Sequence, residues 1–299
     1  MKQFFKVLGK GLCYVGVFIG VQAIVANGIL FYYSIMMQVN LAQNGTDISI
    51  ADMQVILNDK LEKYSSLIIL ISDVIAVIFI YILFKARHKK IRVEIQLKPI
   101  SWKSVPLLCV LGVSLCYFIS YVMVILPIPE SVMESYTQQS SSLSEVSLLV
   151  FLATVIAAPL AEEIFCRGLM LSRFQKGMPI TVAIILQGII FGLIHGHPLW
   201  IAYASFGGII FGVIAYKQGS IIGTMVMHAV FNTTSMLITA MQLGESNTIV
   251  CVIIVVISGV VFVATGIVLL KDTGIQKLEE CLGKDKMGRI SFDMKDVEQ

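Results

Sequence analysis

The chain has 299 residues, 57% of them hydrophobic and 14% charged, with a mean hydropathy of +0.87. Soluble domains carry about 25% charged residues, so the composition describes a membrane protein and excludes an ordinary soluble enzyme. A net charge of +3, with the basic residues scattered among apolar segments, gives no basic face for nucleic acid. The six cysteines form no CxxC and no other close pair, which indicates neither a disulfide framework nor a zinc knuckle.

A membrane span needs about 20 apolar residues. By that measure the sequence predicts an all-α transmembrane bundle of about eight spans, at 12–37, 64–84, 105–127, 146–172, 179–196, 199–216, 220–241 and 248–270. The first run exceeds the 7–15 apolar residues of a signal peptide and no small-residue cleavage pattern follows it, so it reads as a retained span. The polar 38–63 segment reads as a loop in which Asp52 caps a short helix through Lys63. The 128–145 segment, with Gln138, Gln139, Ser140, Ser141 and Ser142 in a row, reads as a flexible loop. Only Gly196, His197 and Pro198 separate the fifth and sixth spans, which predicts a tight hairpin that stops short of the far interface. The charged tail 271–299 reads as a short helix followed by disorder. No internal repeat is visible, and the chain divides into an N-terminal three-span region (1–145), a four-span core (146–241), and a last span with the tail (242–299).

Lysine and arginine placement sets the expected orientation. With eight spans, nineteen of the 22 basic residues fall on one side, Lys60 and Lys63 fall on the other, and Arg167 lies inside the membrane. Both termini are therefore predicted to be cytoplasmic, in the cell membrane.

The core carries the chemistry. Ionisable side chains in a span cost several kcal/mol and mark functional sites by default. Glu162, Glu163 and Arg167 lie within six residues, and His195 and His228 follow in later spans. Glu163 and Arg167 are i and i+4 on one helical face and are expected to pair as structural support. Glu162 is rotated about 100° away and is left free. Phe191 lies one turn before His195, and His228 lies one turn before Asn232. A carboxylate in an apolar setting suits a general base, a histidine can share a water with it, and imidazole and carboxamide donors suit a developing oxyanion. The set suits hydrolysis. No Gly-x-Ser-x-Gly is present, so a serine nucleophile is poorly supported. His197, in the hairpin turn, reads as interfacial. Asp73, in the second span with Ser72, is either a polar contact to the bundle interior or a cavity lining.

Glu162 to Arg167 matches EExxxR, Phe191 to His195 matches FxxxH, and His228 to Asn232 matches HxxxN. In this order and spacing the chain resembles the CPBP family, the CAAX proteases and bacteriocin-processing intramembrane endopeptidases. The resemblance covers about 146–240, including a stretch from Gly208 through Ser220 to His228 that is similar to the family's third block. It implies an intramembrane endopeptidase in which Glu162 and His195 activate water while His228 and Asn232 stabilise the oxyanion, with no metal and no cofactor. The expected partners are a peptide or membrane-protein substrate and the lipid bilayer. Prenylated CAAX C-termini are the substrates of eukaryotic members; the compact form resembles bacterial members. Three alternatives stand beside this reading. They are a non-catalytic immunity or scaffold protein of the same family, a proton-coupled transporter, which would usually show repeated halves, and a metal-dependent membrane protease. On the endopeptidase reading, Glu162, His195, His228 and Asn232 should line one polar cavity. Counting from the helix ends places His195 roughly 10 Å deeper than Glu162 or His228, so tilt or a recessed hairpin is required.

Overall fold

A computed structural model describes residues 2–44, 49–144, 147–241 and 247–271; the predicted tail helix lies almost wholly outside them. All regular structure among these residues is helical. The helices are α1 (Lys2–Asn44), α2 (Ile50–Lys63), α3 (Ser65–Ala86), α4 (Ser104–Ile125), α5 (Glu130–Ser144), α6 (Leu148–Phe174), α7 (Ile180–Leu193), α8 (Pro198–Gln218), α9 (Ile222–Ala240) and α10 (Thr248–Lys271). The fold is an all-α polytopic bundle, with an apolar helix at each of the eight segments expected. Six of these (α1, α3, α4, α6, α8 and α10) are long and apolar enough to cross a membrane. The other two differ for physical reasons. α7 has 14 residues, about 21 Å against a hydrocarbon core of about 30 Å. α9 carries His228, Asn232 and four threonines, which lower its hydropathy.

The loops expected on one side do meet. Gln3 Nε2 donates to Lys176 O at 2.6 Å, Arg173 pairs with Glu94 at 2.5 Å, and Ile221 N donates to Gln96 O at 3.2 Å. On the opposite face α5 touches α2, α3, α8 and α9. Most of the 128–145 segment, Glu130–Ser144, is thus a helix rather than a flexible loop; tertiary contacts from Ser135 and Tyr136 outweigh the weak helix propensity of its serines. In α2 the cap is Ser49, whose hydroxyl accepts from Asp52 N at 3.1 Å, and Asp52 sits in the first turn, where an anion suits the helix dipole.

α7 and α8 pack backbone to backbone, as their small-residue spacings require. A Cβ on Gly188 would lie 2.7 Å from Ile209 N, and one on Gly208 would lie 3.0 Å from Gly188 Cα. α10 and α9 both flank α4, and α3 packs along the first half of α6. Asp73 of α3 is buried and accepts from Gln22 Nε2 of α1 at 3.1 Å, which ties those two helices together.

α6 is not a regular α-helix. Phe151–Ala157 and Glu163–Leu171 are π-helical, with Glu162 at the end of the α-helical piece between them. The first wide turn has a visible cause. Ala158 N donates to Ala153 O, and residue 159, next in line to serve Thr154 O, is a proline with no N–H. The Thr154 carbonyl is therefore left over from the helix ladder.

Candidate active site

Glu163 and Arg167 form the buried pair that their spacing predicts. Arg167 Nη1 donates to Glu163 Oε1 at 2.8 Å, with both side chains fully excluded from solvent. Arg167 Nη2 reaches Gly208 O on α8 at 3.2 Å. The guanidinium lies 4.1 Å from the Phe191 ring centroid and 5.2 Å from that of Phe211, so its charge is held between aromatic faces. Glu162, the neighbouring residue, points elsewhere and keeps 16% of its side chain exposed.

His228 joins both glutamates, a link that no local spacing reveals. Its Nδ1 lies 3.0 Å from Glu163 Oε1 and its Nε2 lies 3.7 Å from Glu162 Oε2. Glu163, paired with Arg167, accepts the Nδ1 proton. Nε2 then faces the second carboxylate with at most one proton to share, carried on the imidazole or on Glu162. Either placement leaves the set Arg167, Glu163, His228 and Glu162 without net charge, the arrangement a low-dielectric site tolerates best.

His195 reaches the cluster through Phe191. Its Nδ1 donates to Phe191 O at 2.8 Å, which turns the imidazole back one helical turn along α7 and offsets part of the expected depth difference. The Phe191 ring stands edge-on to His195 at 5.0 Å and to His228 at 6.0 Å. One ring therefore touches both histidines and the arginine. With Nδ1 committed to a carbonyl, the neutral His195 presents Nε2 as an acceptor.

Asn232 is engaged at the leftover carbonyl of α6: its Nδ2 donates to Thr154 O at 2.7 Å. The second hydrogen on that nitrogen remains for another acceptor. His197 lies in the hairpin turn, as expected, and is 5% exposed. Among the described residues no group of three or more His, Cys, Asp or Glu side chains is arranged to hold a metal ion.

The elements that bring these groups together are α6 to α9, and comparison with known families covers the same stretch. Residues 144–234 match the family of the type II CAAX prenyl endopeptidase Rce1-like proteins, over a little under a third of the chain. Over those residues the chain is similar to the CAAX proteases. No curated protein and no solved structure matches the chain. The matched stretch contains every residue of the Glu162–Glu163–Arg167–His195–His228–Asn232 set, and α1, α3, α4 and α10 lie outside it.

Proposed function

We propose that this protein is an intramembrane endopeptidase that hydrolyses a peptide bond with a water activated by Glu162. The observation that carries this reading is the unequal fate of two adjacent glutamates. Glu163 is consumed by Arg167 and His228, whereas Glu162 stays partly open with only a shareable proton between it and His228. In the proposed reaction Glu162 takes a proton from water, and His195 Nε2 orients that water from the other side. The water oxygen bonds to the scissile carbonyl carbon, and the oxyanion that forms accepts from the free Nδ2 hydrogen of Asn232 and from the protonated form of His228. As the C–N bond breaks, the proton held by the Glu162–His228 pair passes to the leaving amine. Bound geometry and preorganised donors supply the rate enhancement. The four spans between 146 and 241 act as the catalytic core, and the substrate is a peptide or membrane-protein segment presented from the bilayer. Both termini lie in the cytoplasm.

Purified protein in detergent, offered a quenched-fluorescent peptide library, should cleave a subset of peptides, and Glu162→Gln should abolish that cleavage while the protein folds normally. Cleavage that survives Glu162→Gln would reject the assignment. A protein with an intact fold and no cleavage of any library peptide, or of a membrane-anchored reporter, would favour a binding role.

A further inference from the structure

The turn that carries His195 is built with unusual care. Gly196 adopts φ +77°, and His197 N donates to His195 O at 2.9 Å across it, a γ-turn with positive φ that glycine enters without strain. His197 then closes the start of α8: its Nδ1 accepts from Leu199 N at 3.2 Å. That bond fixes the tautomer, so Nε2 carries the proton and donates to Ser135 Oγ of α5 at 3.0 Å. Ser135 in turn donates to Val132 O at 3.0 Å. The imidazole is flanked by the rings of Tyr136 at 5.7 Å and Trp200 at 5.8 Å. Tyr136 also hydrogen-bonds to Tyr203, one turn further along α8. A helix that belongs to no span is thus bonded to the residue two positions from His195.

We propose that Ser135 and His197 are positioning residues: their hydrogen bond docks α5 onto the α7–α8 turn and fixes the direction in which His195 presents Nε2. The inference rests on the reading of His195 as the residue that orients water. Three observations support positioning over simple packing. The hydrogen-bond roles run in one consistent order from Leu199 N through His197 and Ser135 to Val132 O. The joined segments are 62 residues apart in sequence, so the bond restrains tertiary placement. The γ-turn links His195 directly to His197, the residue that Ser135 holds. Because α5 also touches α2, α3 and α9, it holds the turn against the helices around the site, and a substrate arriving from that face meets α5 first.

The experiment measures two quantities in the full-length protein in detergent. Hydrogen–deuterium exchange across residues 192–199 reads the turn directly, and steady-state cleavage of the best library peptide reads the consequence. Ser135→Ala should speed exchange in that segment and lower kcat about tenfold with KM changed less than about twofold, the size expected of a small misplacement. Ser135→Thr, which keeps the hydroxyl, should restore both. His197→Asn, which keeps an acceptor for Leu199 N but does not reach Ser135, should resemble Ser135→Ala, and the double variant should be no worse than either single one. Unchanged exchange in Ser135→Ala, or a double variant whose losses add, would overturn the inference. A wild-type protein that cleaves nothing would instead count against the proposed function, while the exchange result would still decide whether Ser135 positions the turn.

Discussion

At the scale of single residues, the two adjacent glutamates should respond differently to the same change. Glu162→Gln keeps size and hydrogen-bonding capacity at a partly open position, so activity should vanish with little change in melting temperature. Glu163→Gln leaves Arg167 without its anion and His228 without its acceptor, a loss of about 3–5 kcal/mol for a broken buried pair. Differential scanning fluorimetry in detergent should therefore separate the two variants clearly. Equal melting temperatures would mean that the pair at 2.8 Å contributes nothing. Chelation offers a second check. If carboxylate and imidazole activate water themselves, EDTA should leave the rate unchanged and added zinc should inhibit by capturing the same groups; loss of cleavage on chelation, restored by stoichiometric zinc, would make the site a metal centre. The Glu163–Arg167 pair was legible in the sequence because four residues bring two side chains to one face. The Glu163–His228 contact was not, because it spans 65 residues and depends on how α9 meets α6.

At the scale of elements, the broken helix α6 links a proline to an asparagine on another helix. Pro159→Ala would return an N–H that can serve Thr154 O within the wide turn, in competition with Asn232. Interior prolines usually cost about 3 kcal/mol, so the variant should be at least as stable as the parent yet less active. In that background Asn232→Ala should cost less activity than it does alone. Independent effects of the two substitutions would show that the 2.7 Å bond does not couple them. Apolar runs identify spans but not π-helical turns, since both use the same side chains; Pro159 was the one local sign. α5 was hidden for a different reason. Its serines and glutamines carry the composition of a loop, and the contacts that order it, Ser135 to His197 and Tyr136 to Trp200 and Tyr203, come from distant segments.

At the scale of the whole molecule, the separation of loops into two groups gives an expected topology. In a cysteine-free background, Asp59→Cys should react with an impermeant maleimide on intact cells, whereas Lys90→Cys should react only after permeabilisation. The reverse pattern would invert the bundle and place the α5 face in the cytoplasm. The basic loops made this sorting legible from sequence, and the contacts joining residues 3, 94–96, 173–176 and 221 agree with it. The number of helices that fully cross was less legible, because α7 is short and α9 is polar. Both helices meet the Glu162–His228 cluster, and the histidine, asparagine and threonines of α9 lower its hydropathy.

The wide turn at Phe151–Ala157 also governs how this protein tolerates changes in chain length. A π turn holds one residue more than the α turn it replaces. Deleting Ile156, an exposed residue of that turn, should let the segment relax to an ordinary α turn while the helix on either side keeps its heading. Pro159 would then stand four positions after Thr154, and that carbonyl would still be left for Asn232. The same deletion anywhere between His228 and Asn232 would swing the carboxamide about 100° around α9, because that helix has no slack to absorb it. Glu162 thus sits behind a one-residue reserve in the chain, and its neighbours on α9 have none.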